Sequence, residues 1–128
     1  MIGAGDQAEG LIAAILAVRD IEMLHISSRT RAKAEKLAKF VKQTYQVTTK
    51  VFDEADQAME NADIIVTATN SNKPVFSHSL HPGVHLNAVG SFKPEMQELP
   101  SETMLVAYNI VDDSTAAAME ETGDLIVP

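Results

Sequence analysis

The sequence contains no cysteine and no tryptophan, few aromatic residues, and fewer basic than acidic side chains. Without cysteine, the chain forms neither a disulfide framework nor a thiolate metal site, and this suits a cytoplasmic protein. Its 10 basic and 18 acidic residues give a formal net charge of −8, which disfavours binding to nucleic acid or anionic membranes. No apolar run reaches the length of a membrane span, and Met1-Ile2-Gly3 begins no signal peptide. We therefore expect a cytoplasmic protein whose partner is a small molecule.

The composition and the apolar patterns together predict the fold class. Hydrophobic residues make up 45% of the 128 positions and charged residues 22%, which excludes disorder and fits one globular domain. Helical and strand-like apolar patterns alternate along the chain, and apolar runs such as Ile64-Ile65-Val66 are typical of parallel strands covered on both faces. These features predict a doubly wound, Rossmann-type α/β fold. Predicted helices cover residues 7–19, a segment capped by Thr30 that runs through Val41, and residues 54–60 and 114–121; predicted strands cover 21–27, 45–52, 63–68, 84–89 and 105–111.

The beginning of the sequence does not match a complete fold of this class. Only Met1 and Ile2 precede the glycine turn at Gly3, although the first strand of a Rossmann-type sheet is central. At the other end, Gly123-Asp124-Leu125 resembles the opening of another element. We expect residues 1–128 to be one NAD(P)-binding domain cut from a longer chain inside its first strand. As an isolated fragment it should be marginally stable, bind cofactor weakly and lack activity.

A glycine-rich turn between the first strand and the first helix carries the main functional signal. Gly3-Ala4-Gly5-Asp6-Gln7-Ala8 has the G-x-G-x-x-A spacing, in which the first glycine makes the turn, the second admits a pyrophosphate and the alanine permits close helix packing. The free N–H groups and dipole of the following helix favour the diphosphate charge. The motif therefore predicts dinucleotide binding; the alternative is a turn that only packs. Its candidate residues are Gly3, Gly5, Asp6, Gln7 and Ala8.

The residues after the second strand indicate which dinucleotide is bound. An NAD site usually has Asp or Glu there to hold the ribose hydroxyls, but this chain has Ser28-Arg29-Thr30. Arg29 offers a guanidinium to a 2′-phosphate, flanked by two hydroxyls. We therefore favour NADP(H) over NAD(H). The alternative makes Arg29 a solvated loop residue and Thr30 only a helix cap.

A polar segment follows the strand at residues 63–68, beside the point where ligands bind in open α/β sheets. Thr67, Ala68, Thr69 and Ser71 are candidates for contact with ribose or pyrophosphate. Hydroxyls that only stabilise a loop are the alternative for each of them.

Three histidines at 78, 81 and 85 have a spacing that invites a metal-site hypothesis. Pro82-Gly83 breaks any helix that would align them, and no cysteine completes a ligand shell, so we predict no metal site. His25 is interpreted as a core or edge histidine. Asp112 and Asp113 are interpreted as helix-cap and surface groups.

Four segments together resemble the ornithine cyclodeaminase/mu-crystallin family in order and spacing. They are residues 3–8 (GAGDQA), 62–69 (ADIIVTAT), 82–91 (PGVHLNAVGS) and the tail from Val111-Asp112-Asp113 through Gly123-Asp124-Leu125. The resemblance covers essentially the whole chain, and residues 82–91 are its most specific part. Shikimate dehydrogenases and glutamyl-tRNA reductases share only the glycine turn, an Arg-Thr after the second strand and an Ala-Asp-Ile strand.

This resemblance implies a homodimer whose substrate domain is built from the chain before and after the nucleotide-binding domain. It also implies cofactor contacts at the nicotinamide end from Val89, Gly90 and Ser91. In the mu-crystallin-like branch, an Asn-Arg-Thr segment meets the NADPH phosphate, and Ser28-Arg29-Thr30 matches it with Ser for Asn. Glu98 matches an acidic position of the family; the alternative is that its side chain only orients this loop.

The sequence departs from the family pattern at one position that matters for the reaction. Ornithine cyclodeaminases resembling this chain carry a catalytic aspartate where it has Phe92, which cannot exchange a proton. We therefore assign no catalytic residue here and expect NADPH-dependent reduction of a cyclic imino acid of the Δ1-pyrroline-2-carboxylate type, or amino-acid dehydrogenation. The alternatives are an NAD-dependent ornithine cyclodeaminase, a non-catalytic NADPH-binding protein like the crystallin relatives, and a shikimate-dehydrogenase-like oxidoreductase.

Overall fold

The computed structural model describes residues 1–77, 79–109, 114 and 120–128. Within these residues, helices and strands alternate as far as the strand that ends at Thr67, and the next element is again a strand. The elements are α1 (Ala8–Leu16), β1 (Met23–Ser27), α2 (Arg31–Tyr45), β2 (Thr48–Phe52), α3 (Ala55–Met59), β3 (Ile64–Thr67), β4 (His85–Ala88), α4 (Ser101–Val106) and α5 (Gly123–Ile126).

The strands form parallel pairs that meet at Ile2. Strand β1 pairs with β2, Ser27 lying opposite Phe52, and β3 pairs with β4, Thr67 lying opposite Ala88. Ile2 forms parallel bridges to both Ser27 and Thr67, so the order across the sheet is β2, β1, Ile2, β3, β4. The predicted parallel sheet is confirmed, with the residues before the glycine turn at its centre.

Helices cover both faces of this sheet. Neighbouring residues of β3 point to opposite faces, Val66 into one apolar cluster and Ile65 into another. The first cluster packs the sheet against α1 and α2 and the second packs it against α3, as expected for a doubly wound fold. The buried members are Met1, Ala8, Ile12, Ile26, Ala34, Leu37, Ala38, Val41 and Val66 in the first, and Ile2, Ala58, Met59, Ile65, Phe76 and Leu99 in the second.

The second helix begins where it was predicted to begin but ends later than predicted. Thr30 stands at the N-cap in extended conformation, but its side chain makes no capping hydrogen bond. At the other end, the helix continues through Tyr45 and stops at Gln46, which has a left-handed φ of 59°. The strand predicted from residue 45 therefore begins only at Thr48, because the helix continues until a left-handed residue ends it.

The strand predicted at residues 105–111 is wrong where the structure describes it. Leu105 and Val106 belong to α4, whose first turn is closed by the Pro100 carbonyl, which accepts from the N–H groups of Thr103 and Met104. The apolar pair is 74% and 86% exposed instead of buried in a sheet. Residues 110–111 lie outside the described part of the chain.

Two remaining expectations concern the end of the chain. Glu120 and Glu121 are helical, while the rest of the helix predicted over residues 114–121 lies outside the described residues apart from Ser114. Gly123 does open a further element, the short helix α5. Among the described residues, no helix is long and apolar enough to cross a membrane.

Candidate cofactor-binding cleft

A cleft of about 620 Å³ opens where the parallel strands end. The turns after Ile2, β1, β2, β3 and β4 all contribute to its walls. Most of the residues predicted to bind cofactor line it, namely Gly3, Gly5, Asp6, Gln7, Ser28, Arg29, Thr30, Ala68, Thr69, Ser71, Val89 and Gly90. The structure therefore gathers residues from separate turns into a single cavity.

Three predicted residues lie behind the cleft wall. Ala8 is 1% exposed and packs in the core beneath α1, the close helix packing that its motif position predicts. Thr67 is fully buried and donates its hydroxyl to Glu98. Ser91 donates to the Met96 carbonyl and accepts from the Thr122 hydroxyl. Their side chains support the wall and do not form its surface.

The glycine turn has the geometry that its motif requires. Gly3 has a φ of 101°, and a Cβ added there would lie 2.4 Å from the Ala68 carbonyl oxygen, so only glycine fits. A Cβ on Gly5 would meet nothing within 4 Å, because this residue faces open space at the cleft. Ala8 N–H donates to the Gly5 carbonyl at 3.1 Å, and the N-cap residue Gln7 makes no side-chain capping bond. The turn leaves room and helix N–H groups for an anionic group.

One side of the cleft is exposed and densely charged; we call it the adenosine side (Ser28, Arg29, Thr30, Lys33, Asp53 and Glu54). The register of β1 and β2 sets Ser28 and Asp53 at the same edge, each following its strand directly. Lys33, Asp53 and Glu54 were not among the predicted site residues. A signal for Asp53 and Glu54 existed in the sequence, since both directly follow a predicted strand at the ligand-binding edge.

An ion pair stands next to the adenosine side. Arg31 donates from Nη1 to Asp53 and from Nε to Glu35 Oε1, the latter at 2.9 Å. These hydrogen bonds, with Asp53 the larger cause, raise the pKa of the Arg31 guanidinium. Arg31 itself does not line the cleft; it contacts Asp53, which does.

The opposite side is built on a buried carboxylate; we call it the nicotinamide side (Thr67, Thr69, Gly90, Glu98 and Asp124), and the names of both sides follow the cofactor orientation that the sequence analysis predicts. Glu98 is 0% exposed and accepts from the Thr69 N–H at 2.6 Å, the Gly90 N–H at 2.7 Å and the Thr67 hydroxyl at 2.9 Å. A single side chain thus joins the turn after β3 to the turn after β4. A Cβ on Gly90 would lie 2.2 Å from the Thr69 carbonyl oxygen, so these turns touch through backbone.

Asp124 anchors this arrangement from the end of the chain. Its Oδ1 accepts from the N–H groups of Glu98 and Leu99, both at 2.8 Å, while Oδ2 has no hydrogen-bond partner among the described residues. Desolvation raises the pKa of Asp124, and the Glu98 carboxylate acts in the same direction; the hydrogen bonds from Leu99 and Glu98 oppose both. Glu98 and Asp124 are 26 residues apart in the sequence, so no local sequence pattern predicts their contact.

The remaining singled-out side chains lie at or away from the cleft. Phe92 lines the cleft and is 62% exposed, with Lys93 Nζ 5.6 Å from its ring centroid. His81 places its ring nitrogens on the carbonyls of Pro82 and Ala62, which raises its pKa. His25, half-buried, bonds the Ala58 carbonyl.

The described histidines belong to no metal site that the described residues form. His85 bonds Asn87 Oδ1, and residues 78, 112 and 113 lie outside the described part. Within the described residues, no group of three potential ligands could hold a metal ion.

The parallel sheet, the glycine turn and the helices on both faces define a Rossmann-type α/β domain. The model of the ornithine cyclodeaminase/mu-crystallin family matches residues 1–127, and the chain belongs to that family. The resemblance that the glycine turn and residues 82–91 predicted is therefore confirmed.

Comparison with individual proteins agrees with this assignment. A Δ1-pyrroline-2-carboxylate reductase from Bacillus cereus is 49% identical over all of this chain and 39% of its own length. A ketimine reductase mu-crystallin from Macropus fuliginosus is 36% identical over 99% of this chain and 39% of its own. The structure of Thermococcus litoralis Δ1-pyrroline-2-carboxylate reductase in complex with NADH and L-proline matches with a TM-score of 0.94 and 33% identity, over 99% of this chain and 39% of that one. The chain thus spans about 39% of the length of these relatives.

Proposed function

We propose that this chain is the NADP(H)-binding domain of an enzyme that reduces a cyclic imino acid of the Δ1-pyrroline-2-carboxylate type. The observation that carries the cofactor assignment is Arg29 in the wall of the cleft, beside Ser28 and Thr30 at the end of β1. A guanidinium suits a phosphate, and no carboxylate occupies the corresponding strand end. The reaction class is supported by the names of the Bacillus and Thermococcus relatives.

The residues of the cleft fit a dinucleotide, because Gly5 faces open space and Gly3 admits no side chain. Backbone N–H groups of Gly5, Asp6 and Gln7 would hold the pyrophosphate, and Ser28, Arg29 and Thr30 the 2′-phosphate. Ala68, Thr69 and Ser71 would contact ribose or pyrophosphate, with Val89 and Gly90 at the nicotinamide end. When bound, the cofactor supplies the hydride.

The chain's own contribution is to orient the cofactor. Ala8, Thr67 and Ser91 would act from behind the wall, by packing α1 and holding the two nicotinamide-side turns. Phe92 stands at the position of the cyclodeaminase aspartate and exchanges no proton. We propose that the proton donor and the substrate-carboxylate anchors lie outside residues 1–128, in a substrate domain of a cytoplasmic homodimer.

Equilibrium binding of NADPH and NADH to the intact natural polypeptide, with and without Arg29→Ala, tests the cofactor assignment. A charge-assisted phosphate contact is worth roughly 1.5–3 kcal/mol, so we expect Arg29→Ala to weaken NADPH binding about 10- to 150-fold and leave NADH binding nearly unchanged. Arg19→Ala is the matched control, because it removes the same charge from an exposed position that does not line the cleft. Equal binding of both cofactors, unaffected by Arg29→Ala, would contradict the assignment.

Turnover separates the reductase from its alternatives. We expect the intact polypeptide to oxidise NADPH in the presence of Δ1-pyrroline-2-carboxylate and to form proline. NADPH binding without turnover would favour a crystallin-like binding protein, which the similarity to mu-crystallin supports. Release of ammonia from ornithine in the presence of NAD would instead indicate a cyclodeaminase, contrary to the presence of Phe92.

A further inference from the structure

The adenosine side holds charges of both signs, which is unexpected for a site that binds a phosphate. Arg29 and Lys33 line it together with Asp53 and Glu54. A phosphate monoester carries roughly −1.5 to −2 charges at pH 7, so a free carboxylate in the same cavity repels it. In NAD sites the carboxylate that accepts the ribose hydroxyls follows the second strand, here β1, whereas Asp53 follows the neighbouring strand β2. Left free, Asp53 would by its repulsion favour the cofactor that lacks the phosphate.

Asp53 is not free, because Arg31 binds it from outside the cleft. The guanidinium donates from Nη1 to Asp53 Oδ1, while its Nε donates to Glu35 Oε1 one helical turn further along α2. The Asp53 carboxylate thus has a cation on the α2 side while it lines the cavity.

We propose that Arg31 is a specificity-determining positioning residue that acts through Asp53. By engaging this carboxylate, Arg31 reduces its repulsion of a 2′-phosphate. The inference rests on the proposed function, since it concerns the adenosine end of the same dinucleotide site. It assigns cofactor preference to Arg29 in the wall of the cleft and to Arg31, which lies outside the cleft and acts through Asp53.

The expected effect is small and depends on salt. The side chains of Arg31 and Asp53 are 55% and 68% exposed, so water and ions screen their charges. Coupling energies of exposed pairs correspond to about 1.4- to 5-fold in an equilibrium constant. We therefore expect a change of about 2- to 5-fold in NADPH affinity at low ionic strength, decreasing as salt is added.

A double-mutant cycle on the intact polypeptide tests the proposal. Kd values of NADPH and NADH are measured for the wild type, Arg31→Ala, Asp53→Asn and the double variant, at low and at high ionic strength. Adenosine 2′,5′-bisphosphate and 5′-AMP repeat the comparison on the adenosine half alone. Glu35→Gln is the control, because it removes the other partner of Arg31 and leaves Asp53 in place. Thermal unfolding verifies that each variant is folded.

The proposal predicts that Arg31→Ala selectively weakens NADPH and the bisphosphate. The double variant should bind both as well as Asp53→Asn does, and Glu35→Gln should retain the wild-type preference. A double variant as weak as Arg31→Ala would mean that Arg31 contacts the phosphate itself, which overturns the proposal. An Arg31→Ala variant that binds like wild type, or that weakens NADPH and NADH equally, overturns it as well.

The outcome can be told apart from failure of the proposed function. If Arg29→Ala keeps wild-type NADPH affinity, the NADP(H) assignment fails. If Arg29→Ala shows its expected loss but the cycle is additive, only the role of Arg31 is overturned.

Discussion

The two sides of the cleft are built on opposite physical principles. On the adenosine side, Arg29, Lys33 and Asp53 are exposed side chains that act by charge. On the nicotinamide side, Glu98 and Asp124 are buried at 0% and 4% exposure and act through hydrogen bonds to backbone N–H groups. The first arrangement is screened by water and salt, whereas the second stands in a desolvated environment where an unmade bond is costly.

Because of this difference, we expect substitutions on the adenosine side to affect binding and substitutions on the nicotinamide side to affect folding as well. Exposed charges contribute little to folding, so we expect substitutions there to change cofactor binding and leave the free energy of unfolding nearly unchanged. The buried carboxylate holds the turns after β3 and β4 together, so substitutions there affect the fold and the cofactor site at once. We expect stability measurements to distinguish the two sides as clearly as binding measurements do.

The largest expected effect is that of Glu98. Glu98→Ala leaves two buried backbone N–H groups and the Thr67 hydroxyl without their acceptor, and we expect a loss of about 4 kcal/mol in the free energy of unfolding. Glu98→Gln has one acceptor oxygen for N–H groups that approach from two directions, so we expect a loss of roughly 1–3 kcal/mol. Denaturant unfolding measures both.

The matched control is Glu102→Gln, an exposed position on α4 that we expect to change stability by no more than about 0.5 kcal/mol. If Glu98→Gln changed the free energy of unfolding as little as this control does, the proposed contrast between the two sides would be contradicted.

Asp124 should show an intermediate effect with a pH signature. Asp124→Ala removes the acceptor of two buried N–H groups, and we expect a loss of about 2–3 kcal/mol. Because burial raises the pKa of Asp124, the folded state binds this proton more tightly than the unfolded state. This contribution to the free energy of unfolding is complete below the pKa that Asp124 has in the unfolded chain. It is lost as the pH rises through the raised pKa that Asp124 has in the folded state.

Asp124→Asn isolates that proton from the hydrogen bonds. Its amide oxygen can still accept from Glu98 and Leu99, but the side chain no longer titrates. The stability of the asparagine variant relative to wild type should therefore increase from acid to neutral pH. Chemical unfolding across this pH range measures the stability of both proteins. A difference that stays constant with pH would show that the pKa of Asp124 is the same in the folded and unfolded states.

Lys33 should show the smallest effect, and only in binding. Lys33→Ala removes an exposed cation from the adenosine side, and we expect NADPH affinity to fall about 2- to 5-fold with stability nearly unchanged. Lys36→Ala, on the same helix and outside the cleft wall, is the control for net charge. Equal losses in the two variants would assign the effect to overall charge and not to the cleft.

The sequence predicted the glycine turn and the end of β1 better than the hydrogen bonds that build the nicotinamide side, for a physical reason. The glycine turn and the cap position at Thr30 are local patterns, since a turn, a helix start and a strand end occupy a few consecutive residues. The bonds of Glu98 join residues 8 to 31 positions away, and nothing local specifies them. Family resemblance marked Glu98, but only the structure supplies its partners.

The same limit explains why the strand predicted at residues 105–111 does not form over residues 105–109, the part of it that the structure describes. An apolar run with β-branched residues looks alike in a short helix and in a buried strand. Here the Pro100 carbonyl closes a helical turn, and Leu105 and Val106 remain exposed. Sequence periodicity cannot tell which of two such segments a sheet accommodates.

The position of Asp124 has a consequence for the order in which the cleft is assembled. Every residue of the adenosine side lies among the first 54, and its strands pair within that length. The nicotinamide side closes only when residue 124 reaches the backbone of Glu98, 26 residues earlier in the chain. Because synthesis proceeds from the N-terminus, all residues of the adenosine side are available to fold before Asp124, which completes the hydrogen bonds of the nicotinamide side.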